Sequence, residues 1–379
     1  MSFSFKRLIS PAVLGSAALL TAACNYNELI YPGKDMNLPD AACGYAGNSI
    51  VIPAEDGTAL HGWFFNRGYN KPLVLWYPGK CSHVGHFVHT AANDPDRSYL
   101  LMNYRGYGWS KGAPNEHNIV SDARHCLAWA RQQIGGYSSL VTIGYSLGTG
   151  VAVQVAAAEN ADKLILLAPY DCMYNAAVNF SKNILNLPNI ISAPAAQLCA
   201  GSMFNSAQFA PQVTCPVLIF FAEHDAIIPH ESTWNLFHSF TSTYPDVHWV
   251  SCPHEGIMGN NDFWAVFWNY MTQDRLVTGR NNAPWIMNEK GDNHYYGRNG
   301  YAKDANKALA YYRCAADAGY DWGMHNVGKC YLEGQGVCKN DDEARHWFRK
   351  SYETSANHWS LHWLAQLGDA EAQKRLAHA

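Results

Sequence analysis

From residue 50 onward, short apolar runs alternate with longer stretches in which apolar residues recur every three or four positions. The runs predict strands at 49–53, 59–65, 73–77, 98–103, 139–144, 163–168, 216–222 and 247–252. Leu73-Val74-Leu75-Trp76-Tyr77 and Leu164-Ile165-Leu166-Leu167 are apolar without alternation, which suits strands covered on both faces. Intervening stretches such as 118–133 and 147–159 read as crossover helices. This alternation predicts a mostly parallel α/β sheet. The interval 169–211 is longer than one crossover needs and carries Met173, Tyr174, Phe180, Ile184, Leu185, Ile190 and Ile191. It is expected to form a small helical cap over a cleft, the alternative being an extended crossover packed on the sheet edge.

Past residue 271 the pattern changes. Residues 276–292 read as a linker, and a periodic helical block occupies 293–379. Gly300 to Asp304 followed by Ala308, Tyr311, Tyr312 and Ala315 is repeated at a 36-residue interval as Gly336 to Asn340 followed by Ala344, Trp347, Phe348 and Ser351. A third partial copy runs through Leu361, Trp363 and Leu364 to Gly368-Asp369-Ala370. A fixed period of helix pairs is the mark of a solenoid. Tyr331-Leu332-Glu333-Gly334-Gln335-Gly336-Val337, with Asp342, Ala344 and Trp347 after it, resembles a Sel-one-like repeat, a subclass of tetratricopeptide-type repeats.

The first residues follow another logic. Lys6 and Arg7 precede an apolar run from Leu8 to Ala23, too short for a membrane span and shaped as a secretory signal. Leu20-Thr21-Ala22-Ala23-Cys24 resembles a bacterial lipobox. That resemblance implies a signal peptide over 1–23, a lipidated Cys24 and a tether over 24–44. Asn25 after the cysteine favours the outer membrane over the inner one. An ordinary signal peptide is the alternative.

Composition narrows the picture further. The 379 residues are 48% hydrophobic and 13% aromatic, which fits a packed chain of two domains. A net charge of −4 without a basic block excludes nucleic acid as the expected partner. Eleven cysteines in an exported chain permit disulfides, with Cys172–Cys199 and Cys330 to Cys314 or Cys338 as candidate pairs. Buried free thiols are the alternative. No C-x-x-C spacing is present, so zinc is not expected, and neither is any organic cofactor.

The chemistry is carried by Gly144-Tyr145-Ser146-Leu147-Gly148, set between an apolar run and a helical stretch. G-x-S-x-G between strand and helix is a nucleophile elbow. A serine hydroxyl needs a base, and the base needs an orienting carboxylate, in chain order serine, acid, histidine. Asp225, after the 216–222 strand, is the expected acid, with Asp171 as fallback and Glu223 read as a neighbouring charge or cap. His254, just past the last strand, is the expected base, and His248 within that strand is read as structural. The oxyanion donors are expected from the Leu147 amide and from the loop Tyr77-Pro78-Gly79-Lys80-Cys81, Lys80 first and Cys81 as alternative.

Asn103-Tyr104-Arg105-Gly106-Tyr107-Gly108-Trp109-Ser110-Lys111-Gly112, with G-Y-S-L-G and the Asp225 and His254 neighbourhoods, is similar to an α/β-hydrolase branch. That branch includes serine lipases, monoacylglycerol-lipase-like enzymes and protein depalmitoylases. The resemblance covers 45–275 and implies an α/β-hydrolase fold with a small cap, ahead of the all-α repeats. Pro78 and Pro253 depart from the pattern, which has histidine and glycine there. Arg105 is expected to tie loops together through its planar fork. Together these readings predict a lipid-anchored serine hydrolase of the bacterial envelope acting on carboxylic esters or thioesters. A serine peptidase or amidase of the same fold is one rival. Another is an interaction module whose repeats at 293–379 hold a protein partner on a hydrolase platform.

Overall fold

The computed structural model describes Tyr31 and residues 45–80, 82–183, 203–243, 245–273, 284–299 and 301–377. The chain divides into two compact units, Met1–Arg275 and Leu276–Ala379.

The first unit is built on eight strands: β1 (Ser49–Pro53), β2 (Ala59–Phe65), β3 (Leu73–Tyr77), β4 (Ser98–Met102), β5 (Leu140–Tyr145), β6 (Lys163–Leu167), β7 (Val217–Ala222) and β8 (Asp246–Val250). They lie in the order β1-β2-β4-β3-β5-β6-β7-β8. The β1/β2 and β2/β4 pairs are antiparallel and the rest are parallel. Every residue of β3, β5 and β7 is buried, as the unbroken apolar runs require. The helices are α1 (Gly85–Asn93), α2 (Glu116–Ile134), α3 (Leu147–Glu159), α4 (Met173–Asn183), α5 (Ser206–Phe209), α6 (His230–Ser239) and α7 (Asn261–Thr272). Phe87 of α1 packs on Trp264 and Phe267 of α7, while α2 and α3 pack on each other. Asn115 caps α2 by accepting from the Asn118 amide, and Gly135, at φ 73°, ends it.

Register decides where the chemistry falls. Tyr77 pairs with Gly144, Tyr145 with Leu167, Leu167 with Phe220 and Phe220 with His248. The carboxyl ends of β3, β5, β7 and β8 therefore form one edge, and the loops leaving it carry residues 78–80, 146, 225 and 254.

Of the interval expected to form a cap, α4 and α5 are described, and 184–202 lies outside the described residues. Asn179 of α4 donates to the Ile227 carbonyl at 2.8 Å, so that helix adjoins the loop after β7. The signal segment, Cys24 and Cys81 also lie outside the described residues.

The second unit contains α8 (Pro284–Tyr296), α9 (Ala305–Asp317), α10 (Asp321–Glu333), α11 (Asp341–Ser355), α12 (His358–Gln366) and α13 (Ala370–Ala377). Its apolar clusters form between successive helices, one around Tyr312, Met324 and Val327 and one around Phe348, Leu361 and Leu364. Two expectations are corrected here. Part of the predicted linker 276–292 is the first repeat helix, α8. Its Pro284 occupies the first helical position, where a missing N–H costs nothing. Gly291, which reads as a linker residue, is a packing choice, because a Cβ there would lie 2.5 Å from the Tyr312 ring. The candidate disulfides within the repeats do not form among the described residues: Cys330 and Cys338 are free thiols, and Cys314 is disulfide-bonded to neither. Burial pushes the Cys330 thiol up to about 12, the behaviour of a small apolar core group. Cys172 is free as well, while Cys199 lies outside the described residues.

Candidate active site

The elbow forms because its glycines permit an approach no other residue allows. A Cβ on Gly144 would lie 2.5 Å from the Gly148 carbonyl oxygen, and one on Gly148 would lie 2.1 Å from the Tyr77 carbonyl oxygen. Strand β5, helix α3 and the end of β3 thus meet backbone to backbone. Ser146 sits at φ 50°, ψ −116°, a strained conformation for a residue with a side chain. Its amide donates to the Leu167 carbonyl at 2.9 Å, and the Thr149 hydroxyl donates to its carbonyl at 2.6 Å. The strain is held from both sides of the residue.

Ser146, His254 and Asp225, read from the sequence as nucleophile, base and acid, come together. His254 Nε2 lies 2.8 Å from Ser146 Oγ, and His254 Nδ1 lies 2.7 Å from Asp225 Oδ2. A carboxylate only accepts, so Nδ1 carries the proton and Nε2 is free to accept from the serine hydroxyl. The imidazole is 6% exposed and the carboxylate 3%, so water scarcely competes for either bond. Asp225 Oδ1 accepts from the amides of Ile227 at 2.9 Å and Ile228 at 2.8 Å. This turn aims the other oxygen at the imidazole. The Tyr145 hydroxyl donates to the His254 carbonyl at 3.0 Å, and its ring stacks on the imidazole at 5.7 Å. Burial, with Glu255 and Asp225 nearby, raises the Tyr145 phenol above its ordinary pKa, so it stays a donor. Burial likewise pushes the neighbouring Cys252 thiol up to about 11, which leaves it unreactive at neutral pH.

The other candidates have other tasks. Asp171, the fallback acid, is saturated: it accepts from the Ser232 hydroxyl at 2.5 Å, the Cys172 amide at 2.7 Å, Asn175 at 2.8 Å and Asn235 at 3.2 Å. His248 is buried and bonds Asp262 at 2.8 Å, joining β8 to α7. Arg105 grips Asp122 with two bonds, at 2.6 and 2.8 Å, and reaches Asp56 at 2.5 Å, so it ties its own loop to α2 and to the loop between β1 and β2. Glu223 is buried at the end of β7, its amide donating to the Val250 carbonyl at 2.9 Å.

A cavity of about 460 Å³ opens over the serine, lined by Lys80, Ser82, His86, Tyr145, Ser146, Ile227, His254, Glu255 and Met258. Lys80 and Ser146 therefore line the same cavity. Leu147 is the first residue of α3, where amides have no carbonyl one turn back to bond. A larger cavity of about 630 Å³ touches no triad residue, and its Arg124, Arg131 and Glu159 are already paired with one another. Sequence reasoning missed Tyr145, the Ile227 and Ile228 amides and the lining residues His86 and Met258. Of these only Asp225-Ala226-Ile227-Ile228-Pro229 carried a signal, that of an aspartate-initiated turn.

Comparison with known proteins agrees with this fold. A family model described as the alpha/beta hydrolase fold matches residues 72–189, and the Sel1 repeat model matches 291–320 and 323–353. The chain is 30% identical over 165 residues to an uncharacterized protein of Mycobacterium tuberculosis, covering 42% of this chain and 59% of that one. It is 34% identical over 180 residues to the lysophosphatidylserine lipase ABHD12 of Danio rerio, covering 45% of this chain and 44% of that one. The matches thus span about half the length of these curated relatives. Among solved structures, a Pyrococcus furiosus esterase superposes with TM-score 0.54 at 15% identity, covering 64% of this chain and 96% of that one. An alpha-beta hydrolase from Vibrio vulnificus gives 0.53 at 19%, covering 70% and 94%. The chain has an α/β-hydrolase fold followed by a helical region of Sel1 repeats.

Proposed function

We propose that the chain is an exported, lipid-anchored serine hydrolase that cleaves carboxylic acyl esters, thioesters included, through an acyl-enzyme. The observation that carries this reading is the His254 ring bridging Ser146 Oγ at 2.8 Å and Asp225 at 2.7 Å. Ser146 attacks the carbonyl carbon as His254 Nε2 takes its proton, and Asp225 stabilises the imidazolium that results. The Leu147 and Lys80 amides hold the oxyanion. His254 then protonates the leaving alcohol or thiol, and it next activates the water that deacylates Ser146. No step calls for a metal or cofactor.

The cavity is amphipathic, with Ile227 and Met258 offering apolar surface and Lys80, Ser82 and His86 polar groups. This favours a monoacyl ester with a polar head, in keeping with the lipase named among the relatives. A fluorophosphonate probe on the protein without residues 1–24 is expected to label wild type and to leave Ser146→Ala and His254→Ala unlabelled. Each substitution should cost at least about 10⁴-fold in ester turnover. A folded wild type that takes no label refutes the reading. Faster turnover of aminoacyl amides than of acyl esters moves it to the amidase class.

A second role, binding of a protein partner by the repeats, is favoured by one observation. Trp285, Trp322 and Trp359 occupy the second position of α8, α10 and α12, and they are 54%, 39% and 61% exposed. Exposed aromatic residues at equivalent positions of successive repeats are common at interfaces. Replacing all three with alanine in the full chain is expected to abolish capture of a defined envelope protein while leaving kcat unchanged. Equal capture by both forms counts against this role.

A further inference from the structure

The two backbone segments that carry the oxyanion amides are both gripped from behind by a buried tyrosine hydroxyl. Tyr104, in the loop after β4, donates to the Pro78 carbonyl at 2.9 Å. Tyr170, in the loop after β6, donates to the Leu147 carbonyl at 3.1 Å. We propose that Tyr104 and Tyr170 are positioning residues of the oxyanion hole, fixing the Pro78–Lys80 segment and the Leu147 peptide in the geometry that receives the developing charge. This rests on the serine-hydrolase reading above.

Ordinary satisfaction of a buried phenol is the competing account, since a buried tyrosine hydroxyl usually finds some acceptor. Four features favour positioning. First, the acceptors are not scattered: one carbonyl belongs to Leu147 itself, the other lies two residues before Lys80. Second, the two segments touch, because a Cβ on Gly148 would lie 2.1 Å from the Tyr77 oxygen and 2.8 Å from the Pro78 oxygen. A shift in one would move the other. Third, room is kept for the Tyr170 hydroxyl at Gly150, where a Cβ would approach it to 2.7 Å. Fourth, Leu147 follows Ser146 at its strained φ of 50°, a conformation that lasts only while its surroundings enforce it. Burial raises both phenols far above their ordinary pKa, so both remain donors wherever the protein is folded.

The cluster also supplies its own control. Tyr31 is buried near Tyr104 and Tyr170, and its hydroxyl makes no hydrogen bond among the described residues. Tyr31→Phe removes a buried hydroxyl from the same surroundings without freeing a backbone carbonyl.

The test uses the full chain, an acyl ester substrate and a trifluoromethyl ketone inhibitor, whose serine adduct places an oxyanion in the hole. Removing an oxyanion donor outright typically costs about 10²–10³-fold, so loosening one should cost less. Tyr104→Phe and Tyr170→Phe are each expected to lower kcat about tenfold with KM unchanged, and to weaken the inhibitor by a similar factor. Tyr31→Phe should match wild type in both. If Tyr170→Phe does not fold, Gly150→Ala, whose Cβ presses on the same hydroxyl and on Phe204, should give the same loss of kcat with KM unchanged. Folded variants with wild-type kcat and inhibition, or with a raised KM alone, overturn the inference. A wild type inert towards esters overturns the hydrolase reading instead.

Discussion

At the scale of single residues, Arg105 is a buried side chain that holds separate segments together. Its guanidinium is almost fully buried, and Asp122 beside it is 10% exposed. Truncating the arginine strands a carboxylate in a low-dielectric site, which costs about 3–5 kcal/mol, far above the ~1 kcal/mol of a surface pair. Denaturant unfolding of Arg105→Ala should register that loss. Arg105→Lys should recover only part of it, because an ammonium cannot make both bonds to Asp122 at once. A loss under about 1 kcal/mol would sink the idea that Arg105 anchors these segments. The sequence disclosed this residue's task through its setting, a tight loop in which Gly106, Gly108 and Gly112 all take positive φ. It could not disclose Tyr145, whose hydroxyl serves His254 from 109 residues away. Nothing in the local pattern of a tyrosine before a serine announces that acceptor.

At the scale of elements, the eight predicted strands match the observed ones to within about two residues, because unbroken apolar runs bounded by turns have one reading in an α/β alternation. Helix α8 escaped because proline and glycine signal a break unless the partner ring is known. The repeat helices also carry an opposed pair of titrations. Burial lowers the His325 imidazole from 6.5 to about 4, with Lys329 lowering it further and Asp321 acting against. Burial raises the Asp317 carboxyl from 3.8 to about 7 against the pull of Lys350 and Arg313. Between pH 4 and 6.5 the unfolded chain binds the histidine proton more than the folded one, so this group's stabilisation fades as pH falls. Between pH 3.8 and 7 the folded chain holds the aspartic proton that the unfolded one releases, so its stabilisation fades as pH rises. The two slopes oppose each other over pH 4–6.5. His325→Gln is therefore expected to make stability fall more steeply as pH rises, and Asp317→Asn to make it fall more steeply as pH drops. Unfolding midpoints at pH 4.5 and 6.5 for the three proteins check this, and parallel curves would remove both groups from the account.

At the scale of the whole molecule, the proposal joins a hydrolase unit to a surface through residue 24. Cys24→Ala is expected to move the protein from the membrane fraction to the soluble one and to end incorporation of labelled fatty acid, with kcat on a soluble ester unchanged. Retention in the membrane by the variant would require another anchor. Chain order made the Ser146–His254–Asp225 cluster legible: each residue follows the carboxyl end of a predicted strand, and parallel strands bring those ends to one edge. Substrate shape was not legible, because the cavity wall is assembled from four separate loops.

That same convergence imposes a schedule on the newly made chain. Ser146 and its base are 108 residues apart in sequence. At ribosomal speeds of about 5–20 residues per second, the nucleophile exists for on the order of 5–20 s before the histidine is made. Even then the imidazole has no fixed place until β8 has joined β7, at the far edge of the sheet. If the proposed function holds, a chain still being made carries a serine that can attack nothing, and its first turnover would report that the last strand has been laid down.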